Sequence, residues 1–302
     1  MQKIVPISLF VYNRLSHTKR TLTALRKNYL AKSSDLIVIS DGPKNKDDEK
    51  NVTAVRKYIR NISGFRKVAL IERKTNLGLA ESFIQGITAL IKKYKTLIVL
   101  EDDSLTSPYF LKYMNEALNL YKNDPRVISV HGYMYPVEGK LPETFFLRGA
   151  DSWGWGTWKR GWNLYQKNGK KLLKEIVAKK LTYGFDMDGS YPYSRILKNQ
   201  VANKNSSWSI RWMAAAYLKN KLTLYPGTSL VKNIGFDGSG THTGRSKIFD
   251  VKLAKHPVKV VKIKEEEDAV SRSKLKEFFK SEYKYDAFSQ ILRSIKNKIK
   301  EV

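Results

Sequence analysis

The sequence TLIVLEDDS, residues 96–104, joins an apolar run to a cluster of carboxylates. A run of apolar residues, of the length typical of a buried strand, leads directly into the carboxylates Glu101, Asp102 and Asp103. Repulsion between like charges and loss of hydration both make such a cluster costly at the end of a buried strand. The pattern therefore indicates either a bound positive group or a solvated turn that caps the next helix.

Short apolar runs alternate with amphipathic segments on both sides of this stretch. The strand-like runs are 4–11, 36–39, 68–72, 97–100, 127–130 and 222–225, and the helical segments are 17–30, 47–62, 79–93 and 108–121. Short strands alternating with helices are typical of a parallel sheet that is covered on both faces. We therefore predict an α/β fold.

Polar residues follow four of the predicted strands. The four segments are Tyr12-Asn13-Arg14, Ser40-Asp41-Gly42-Pro43, Lys74-Thr75-Asn76-Leu77-Gly78 and Glu101-Asp102-Asp103. In parallel sheets ligands bind beyond the carboxyl ends of the strands, and glycine lets the backbone approach a ligand closely. We predict that the ligand site lies at this edge of the sheet.

Composition limits the classes of partner. The chain has 302 residues, of which 56 are Lys or Arg and 28 are Asp or Glu, so its formal net charge is +28. Such a surface favours nucleic acid, anionic lipid headgroups or phosphorylated ligands. The absence of cysteine excludes disulfides and zinc–thiolate sites. No apolar run approaches the roughly 20 residues of a membrane span, and we expect a cytoplasmic protein.

Each polar segment has a structural interpretation beside the functional one. Hard cations such as Mg²⁺ and Mn²⁺ take oxygen ligands, and the position of the carboxylates after a buried strand favours a metal site over a capping turn. Asp41 fits either a nucleotide contact or a Pro-containing turn. Asn76 fits a ligand contact or a helix cap, and Arg14 fits a phosphate contact or an ordinary exposed position.

Aromatic and glycine residues are concentrated in the second half of the chain. The segment 149–162, GADSWGWGTWKRGW, contains four tryptophans, and 207–212, SWSIRW, contains two more. Aromatic faces stack on sugar rings and bases, but the same residues would also join two parts of a core. His242 lies in the glycine-rich GSGTHTG and could supply a neutral nitrogen ligand from a closing loop.

The order of YNR, SDGP, NLG, EDD and the Gly/Trp-rich segment resembles the GT-A fold nucleotide-sugar glycosyltransferases, in particular bacterial family 2-like enzymes of surface polysaccharide synthesis. SWGWGTWKRGW and GFDGSGTHTG are similar to a subgroup related to the N-acetylglucosaminyltransferase I type. The resemblance covers about residues 4–245. It implies a Rossmann-like, mostly parallel sheet flanked by helices, with a C-terminal basic helical tail. The implied parts are a catalytic domain 1–248, divided into a nucleotide half (about 1–125) and an acceptor half (about 126–248), and a tail 249–302.

The resemblance also implies a metal-dependent, inverting transfer of a sugar from a nucleoside diphosphate, with UDP as the expected nucleotide. The acceptor is a glycan or a lipid-linked glycan, and the cofactor is Mn²⁺ or Mg²⁺. The implied nucleotide-binding residues are Tyr12, Arg14, Asp41, Asn76 and, near the ribose, Asp102. The implied metal ligands are Asp103 and His242. The implied donor and acceptor pocket contains Glu101, Trp153, Trp155, Trp158, Trp208 and Arg211.

One departure concerns the general base. The related eukaryotic enzymes carry a Trp-Asp-Asp-Trp-like element that supplies their base, whereas this chain reads WSIRW at 208–212. A base is still needed to accept the proton of the acceptor hydroxyl. Asp151 is the first candidate, and Asp186, Asp188 and Asp237 are alternatives.

Two other functions compete with a glycosyltransferase. A basic single-stranded nucleic-acid-binding protein would combine charge with aromatic residues in the same way. Against it, the basic residues are spread along the chain and the carboxylate cluster repels phosphate, so no nucleic-acid partner is expected. A nucleotidyltransferase would place a glycine-rich phosphate loop after the first strand, where residues 10–14 contain no glycine.

The tail carries apolar residues at three- and four-residue spacing among lysines. These residues are Leu275, Phe278, Phe279, Phe288, Ile291, Leu292, Ile295 and Ile299. The spacing predicts an amphipathic helix, which either packs on the catalytic domain or lies on an anionic membrane surface. The second alternative predicts peripheral association with the inner face of the cell membrane.

Overall fold

A computed structural model describes residues 4–239 and 246–282. The strands are β1 (Ile7–Val11), β2 (Asp35–Ser40), β3 (Lys67–Glu72), β4 (Thr96–Glu101), β5 (Ser104–Thr106), β6 (Val127–His131), β7 (Thr144–Arg148), β8 (Trp155–Trp158), β9 (Leu222–Pro226) and β10 (Val231–Asn233). The helices are α1 (Leu15–Arg26), α2 (Lys46–Arg60), α3 (Leu79–Tyr94), α4 (Phe110–Leu120), α5 (Lys159–Trp162), α6 (Gly169–Ala178), α7 (Thr182–Phe185), α8 (Tyr193–Val201) and α9 (Ser209–Leu218). Residues 269–282 are also helical.

In the described part of the chain, eight strands form one sheet in the order β3-β2-β1-β4-β8-β6-β9-β7. β1 pairs in parallel with both β2 and β4, so that Ile7 lies opposite Leu36 on one side and Ile98 on the other. β8 and β7 are antiparallel to their neighbours. β5 and β10 form a separate antiparallel pair. The predicted α/β fold with a mostly parallel sheet flanked by helices is confirmed.

Strand β4 shows why the central strands are continuously apolar. Ile98 and Leu100 point into the core on one face of the sheet, and Leu97 and Val99 point into the core on the other. Because helices cover both faces, alternation with polar residues would bury polar groups without partners. The carboxylates begin where the strand leaves this double cover.

The tryptophan-rich segment forms the antiparallel strand β8 between β4 and β6. Trp155 packs in one core against the ring of Trp208, and Trp158 lies in the other core, where its Nε1 donates to the Leu118 carbonyl at 3.1 Å. A Cβ on Gly156 would lie 2.9 Å from Leu118, so glycine allows α4 to approach the strand. These tryptophans therefore hold the sheet and its helices together.

The C-terminal part of the described chain, residues 246–282, packs against the rest of the protein. The Asp268 amide donates to the Phe146 carbonyl at 2.9 Å, and the Tyr121 hydroxyl donates to the Val261 carbonyl at 3.2 Å. Leu275 and Phe279 are both 1% exposed. These two apolar side chains are thus buried in the protein and do not face a membrane.

The remaining apolar positions of the predicted tail helix, from Phe288 onward, lie outside the described residues. Within residues 4–239 and 246–282, no helix combines the length and the apolar character needed to span a bilayer.

Candidate active site

The loops after β2 and β3 lock together through Asp41. Its Oδ1 accepts hydrogen bonds from the amides of Gly42 at 3.0 Å and Leu77 at 3.1 Å. In return, Asn76 Nδ2 donates to the Gly42 carbonyl at 2.8 Å. A Cβ on Gly42 would lie 2.4 Å from the carbonyl carbon of Thr75, so only glycine permits this contact. The two predicted nucleotide contacts, Asp41 and Asn76, are therefore brought together by backbone geometry.

Tyr12 and Asn13, at the end of β1, are held by one carboxylate of α2. The Tyr12 hydroxyl donates to Asp48 Oδ2 at 2.7 Å, and Asn13 Nδ2 donates to Asp48 Oδ1 at 2.6 Å. Burial and the bond to Asp48 raise the pKa of Tyr12 to about 12. The tyrosine therefore stays protonated and fixed at the edge of the sheet.

Arg14 is the positive partner of the carboxylates at the end of β4. Its Nη2 donates both to Asp102 Oδ1 and, at 2.8 Å, to Asp103 Oδ2. Burial opposes the charge on Arg14, but attraction to Asp102 and Asp103 outweighs this effect and raises its pKa. In this structure Arg14 forms an ion pair with both carboxylates, and its predicted contact with the nucleotide stays a prediction.

The surroundings of Glu101 and Asp102 disfavour the ionised forms of these carboxylates. Burial and the neighbouring charges of Asp103 and Asp102 raise the pKa of Glu101 to about 8. Burial, together with repulsion from Asp103, raises the pKa of Asp102 to about 6 against the opposing attraction of Arg14. Asp102 and Asp103 are only 5% and 8% exposed. Positive charge beyond that of Arg14 would stabilise the ionised cluster.

The donor set fits a hard divalent cation in its chemistry. Asp102 and Asp103 supply carboxylate oxygens, and Oδ1 of Asp103 is buried without a hydrogen-bond partner. No cluster of three or more His, Asp or Glu side chains is poised to enclose a metal among residues 4–239 and 246–282. The predicted ligand His242 lies outside those residues. A cation here would therefore depend on one or two carboxylates and on ligand oxygens.

The segment 233–237 covers the carboxylates and continues to a pocket. The Ile234 amide donates to the Asp103 carbonyl at 2.9 Å, and the His17 imidazole lies 3.1 Å from Asp237. Between these contacts, the ring of Phe236 packs edge-on against Trp153 at a centroid distance of 5.6 Å. The segment thus touches the carboxylate cluster on one side and the pocket on the other.

The pocket has a volume of about 360 Å³. Its lining combines aromatic side chains with a few polar ones: His131, Tyr135, Ala150, Asp151, Ser152, Trp153, Tyr191, Tyr193, Ile196, Ser207, Ser209, Ile210, Met213, Phe236 and Phe249. Large aromatic walls with few convergent polar groups are typical of sites for small organic ligands, including sugars.

Asp151 is fixed in the pocket by two tyrosines. Its Oδ2 accepts hydrogen bonds from the hydroxyls of Tyr225 at 2.9 Å and Tyr135 at 3.1 Å. Burial raises the pKa of Asp151, while the two tyrosine bonds oppose that shift. A carboxylate that is oriented in this way can accept a proton, and a raised pKa makes it a stronger base.

His131 lies beside Asp151 in the lining and remains neutral. Its Nε2 accepts a hydrogen bond from the Trp153 amide at 3.0 Å, which leaves Nδ1 as the protonated nitrogen. Burial lowers the pKa of His131 to about 3. The histidine therefore fixes the backbone of the pocket wall at Trp153 without adding charge.

Several residues predicted for the site lie elsewhere. Trp155, Trp158 and Trp208 are 0%, 4% and 3% exposed in the hydrophobic core, and their predicted place in the donor and acceptor pocket is corrected to the core. Arg211 donates to the carbonyls of Ser207 at 3.3 Å and Lys167 at 3.1 Å, so it holds the start of α9 instead of lining the pocket.

The three alternative bases all have partners in the structure. Asp186 accepts from the amide and the hydroxyl of Ser194, both at 2.6 Å, at the start of α8. Asp188 pairs with Arg272 of the C-terminal helical segment, at 2.7 Å. Asp237 pairs with His17 in segment 233–237. Of the four carboxylates considered, Asp151 lines the pocket.

The sequence-based reasoning missed several residues that shape the site. They are Asp48, His17, His131, Tyr135, Tyr225 and Gly235. The dense aromatic run HGYMYP at 131–136, directly after a strand, is a signal that could have indicated the pocket. Asp48 lies in a stretch whose composition is ordinary for a helix start, and Gly235 begins the GFDGSGTHTG segment noted in the sequence, but the site contacts of both residues are with positions distant in sequence.

The sequence profile described as "Glycosyl transferase family 2" matches residues 7–178, which is more than half of the chain. A search of curated proteins found no match. The solved structures that resemble this one include a crystal structure of TarS from S. aureus, with 16% identity and a TM-score of 0.32 over 48% of this chain and 25% of that one. They also include a crystal structure of S. aureus TarS 1–349, with 13% identity and a TM-score of 0.41 over 75% of this chain and 60% of that one.

This chain therefore corresponds to a quarter and three fifths of the length of those two structures. The matched residues of the profile include strands β1 to β4, the carboxylates that follow β4, and the pocket residues Asp151 and Trp153. The resemblance inferred from the motif order is confirmed, and the chain belongs to glycosyl transferase family 2.

Proposed function

We propose that the protein transfers a sugar from a nucleoside diphosphate, with UDP as the expected nucleotide, to a hydroxyl of a glycan or lipid-linked acceptor. The reaction inverts the anomeric centre, uses Mn²⁺ or Mg²⁺, and serves the synthesis of a bacterial surface polysaccharide. The nucleotide lies at the ends of β1 to β4, and the acceptor lies in the pocket with Asp151.

One observation carries this proposal. Segment 233–237 contacts the Asp103 backbone through Ile234 and the Trp153 ring through Phe236. A polar edge suited to a nucleoside diphosphate and an aromatic pocket suited to a sugar therefore share a wall. A transferase needs this arrangement, because the reacting carbon must reach both the leaving diphosphate and the acceptor hydroxyl.

On the nucleotide side, the side chains at the strand ends are already oriented. Asp41 is held by the Leu77 amide, and Tyr12 is held by Asp48. Such fixed groups bind a base and a ribose without first losing side-chain freedom. A divalent cation bound at Asp102 and Asp103 would supply positive charge that stabilises the departing diphosphate.

On the acceptor side, Asp151 takes the proton of the attacking hydroxyl. The hydroxyl oxygen forms a bond to the anomeric carbon, while the bond from that carbon to the diphosphate oxygen breaks and its electron pair leaves with the diphosphate. A single displacement of this kind inverts the configuration. Tyr135 and Tyr225 hold the carboxylate so that its other oxygen, Oδ1, is available for the proton.

The proposal extends to peripheral contact with an anionic membrane, where lipid-linked acceptors are found. A net charge of +28 supports attraction to anionic headgroups, whose effect is about 1 kcal/mol per lysine near the surface. The exposed residues Val177 and Tyr183, next to Lys179 and Lys180, supply apolar side chains within a basic surface.

The first experiment is a thermal-unfolding panel of UDP, dTDP, GDP, CDP and ADP, each with Mn²⁺, Mg²⁺ or EDTA. A nucleotide at a hundred times its dissociation constant adds about 2.7 kcal/mol to the stability of the fold, which is readily measured. We expect one nucleotide to stabilise the protein only when metal is present. The corresponding nucleotide sugar should then release its diphosphate in the presence of acceptor extracts.

Asp103→Ala tests the carboxylate cluster, and Glu49→Ala, at an exposed position of α2, is the matched control. The stabilisation should disappear in the first variant and persist in the second. If none of the nucleotides stabilises the wild-type protein with either metal, the proposed donor site is wrong. Salt-dependent binding of an oligonucleotide under the same conditions would instead favour a nucleic-acid-binding protein.

A further inference from the structure

Arg14 has an unusual combination of a fixed backbone and a bridging side chain. It precedes α1, and its carbonyl accepts from the Thr18 amide at 3.0 Å and the Thr18 hydroxyl at 2.9 Å. These bonds at the start of α1 fix the backbone position from which the Arg14 side chain extends. The guanidinium reaches across to the end of β4, and its side chain is 20% exposed.

A single nitrogen of this guanidinium bridges the two carboxylates. Nη2 donates to Asp102 Oδ1 and to Asp103 Oδ2, and Nε lies 3.4 Å from Asp102 Oδ2. The single positive charge of the guanidinium is therefore shared between the two carboxylates. A divalent cation that binds Asp102 and Asp103 together would need the same space between the same oxygens.

The cluster has acceptor capacity that Arg14 leaves unused. Asp103 Oδ1 is buried and has no hydrogen-bond partner in the described structure, and a buried acceptor in that state costs free energy. On the other side of the same carboxylate, Gly235 approaches so closely that a Cβ would lie 2.3 Å from Oδ2. The carboxylate therefore has both an unfilled oxygen and little room for a larger protein side chain.

We propose that Arg14 is the resident counter-ion of Asp102 and Asp103 and competes with a divalent cation for the same oxygens. Cation binding then requires the guanidinium to leave the carboxylates. The displaced guanidinium becomes available to the diphosphate of the donor, since its fork of donors matches phosphate oxygens. Its role toward the diphosphate rests on the function proposed above, whereas the competition is measured without donor or acceptor.

The net charge of Arg14, Asp102 and Asp103 changes when a divalent cation binds. Before cation binding, one guanidinium faces two carboxylates and leaves the trio with one negative charge. When a divalent cation neutralises both carboxylates, the guanidinium is left with a full positive charge, and a diphosphate is the anion that arrives with the substrate. Arg14 thus stabilises the two carboxylates when no metal is bound. Its release by the cation couples metal binding to donor binding.

The experiment measures Mn²⁺ binding to the full chain by calorimetry and by the Mn²⁺ electron paramagnetic resonance signal, with no nucleotide present. We expect Arg14→Gln to bind Mn²⁺ at least tenfold more tightly than the wild type, because the competing cation is gone. Arg14→Lys keeps the positive charge but loses the planar, multiple-donor guanidinium. Its Mn²⁺ affinity should lie between that of the wild type and that of Arg14→Gln. Arg20→Gln removes an exposed charge from α1, the helix that Arg14 precedes, and should leave the affinity within about twofold.

Unchanged or weaker Mn²⁺ binding by Arg14→Gln would overturn the competition, and so would an equal gain in Arg20→Gln. The second measurement adds UDP at saturating Mn²⁺, where Arg14→Gln should bind the nucleotide at least fivefold more weakly than the wild type. If the glutamine variant unfolds without metal, it is refolded in Mn²⁺ and the comparison is made with Arg14→Lys. Absence of sugar transfer by the wild type would refute the proposed function while leaving the metal-binding result intact.

Discussion

Gly235 lies directly against the carboxylate of Asp103, so that a Cβ at this glycine would be 2.3 Å from Oδ2. The carboxylate oxygen cannot move aside freely, because Arg14 Nη2 holds it at 2.8 Å. Segment 233–237 therefore approaches the cluster as closely as its backbone allows. The contact joins the nucleotide edge to the pocket through a residue that has no side chain.

The first prediction concerns this contact. Gly235→Ala should push segment 233–237 away from Asp103 and carry Phe236 away from Trp153. We expect at least a tenfold loss of transfer rate with little change in the midpoint of thermal unfolding. Lys232→Ala is the control, since it removes only a surface ion pair with Asp250, which contributes little to stability. Wild-type kinetics in Gly235→Ala would contradict the assigned role of the segment.

The second prediction is a pH dependence set by Asp151. A base must be ionised, so the transfer rate should fall as the pH drops through the pKa of Asp151, which burial raises above its usual range. Tyr225→Phe removes a hydrogen bond that stabilises the charged carboxylate, and this raises the pKa further. The acid limb of the rate profile should therefore move to higher pH.

Two variants check this assignment. Asp151→Asn should lower the rate by a factor of about 10² to 10⁴, the usual contribution of a general base. Tyr183→Phe, at an exposed tyrosine, should leave both the rate and the profile unchanged. An acid limb that stays in place in Tyr225→Phe would show that another group accepts the proton.

The third prediction tests the interlocked loops of the nucleotide edge. Gly42→Ala places a methyl group against the backbone of Thr75 and must separate the loops that follow β2 and β3. The bond from the Leu77 amide to Asp41 should then break. We expect UDP affinity to fall at least tenfold by calorimetry, whereas Lys44→Ala, at an exposed neighbour, should bind normally. Normal binding by Gly42→Ala would exclude Asp41 from the nucleotide site.

The fourth prediction separates core tryptophans from pocket tryptophans. Trp155→Phe leaves a cavity in the core and should destabilise the fold by roughly 2 kcal/mol in denaturant unfolding. Its affinity for nucleotide should remain that of the wild type. Trp153→Ala should instead raise the acceptor concentration that gives half-maximal transfer rate, because this ring forms part of the pocket wall. The reverse pattern would show that the aromatic segment has been assigned to the wrong roles.

The fifth prediction concerns the C-terminal helical segment 269–282. Phe279 is buried against the rings of Tyr191 at 4.5 Å and Tyr135 at 5.0 Å. Phe279→Ala should cost roughly 3 kcal/mol of stability. It should also lower transfer, since Tyr135 orients Asp151. Val270→Ala, at an exposed position of the same segment, should change neither property, and an equal loss there would point to general fraying of the helix.

The parallel half of the sheet and the place of its polar edge could be predicted from local sequence patterns. β1, β2 and β4 were predictable because a strand that is covered on both faces must be continuously apolar, and helices with periodic apolar residues must cover it. β3, at the exposed edge of the sheet, was predictable from its short apolar run between two helical segments. The same logic located Tyr12, Asp41, Asn76 and the carboxylates, since parallel strands end at one edge. Strand β8 could not be predicted from its sequence, because glycine is typical of loops and tryptophan is typical of cores.

The partners of these residues depend on packing between segments that are distant in the chain. Arg14 and Asp102 are separated by 88 positions, and Asp151 and Tyr225 by 74, so no local pattern records either contact. The burial of Trp155 likewise depends on its contact with Trp208. Trp208 lies at the start of α9, which is distant from Trp155 in the sequence. Local sequence sets the period of burial and the turn chemistry, whereas packing between distant segments sets charge pairing, pKa and the shape of the pocket.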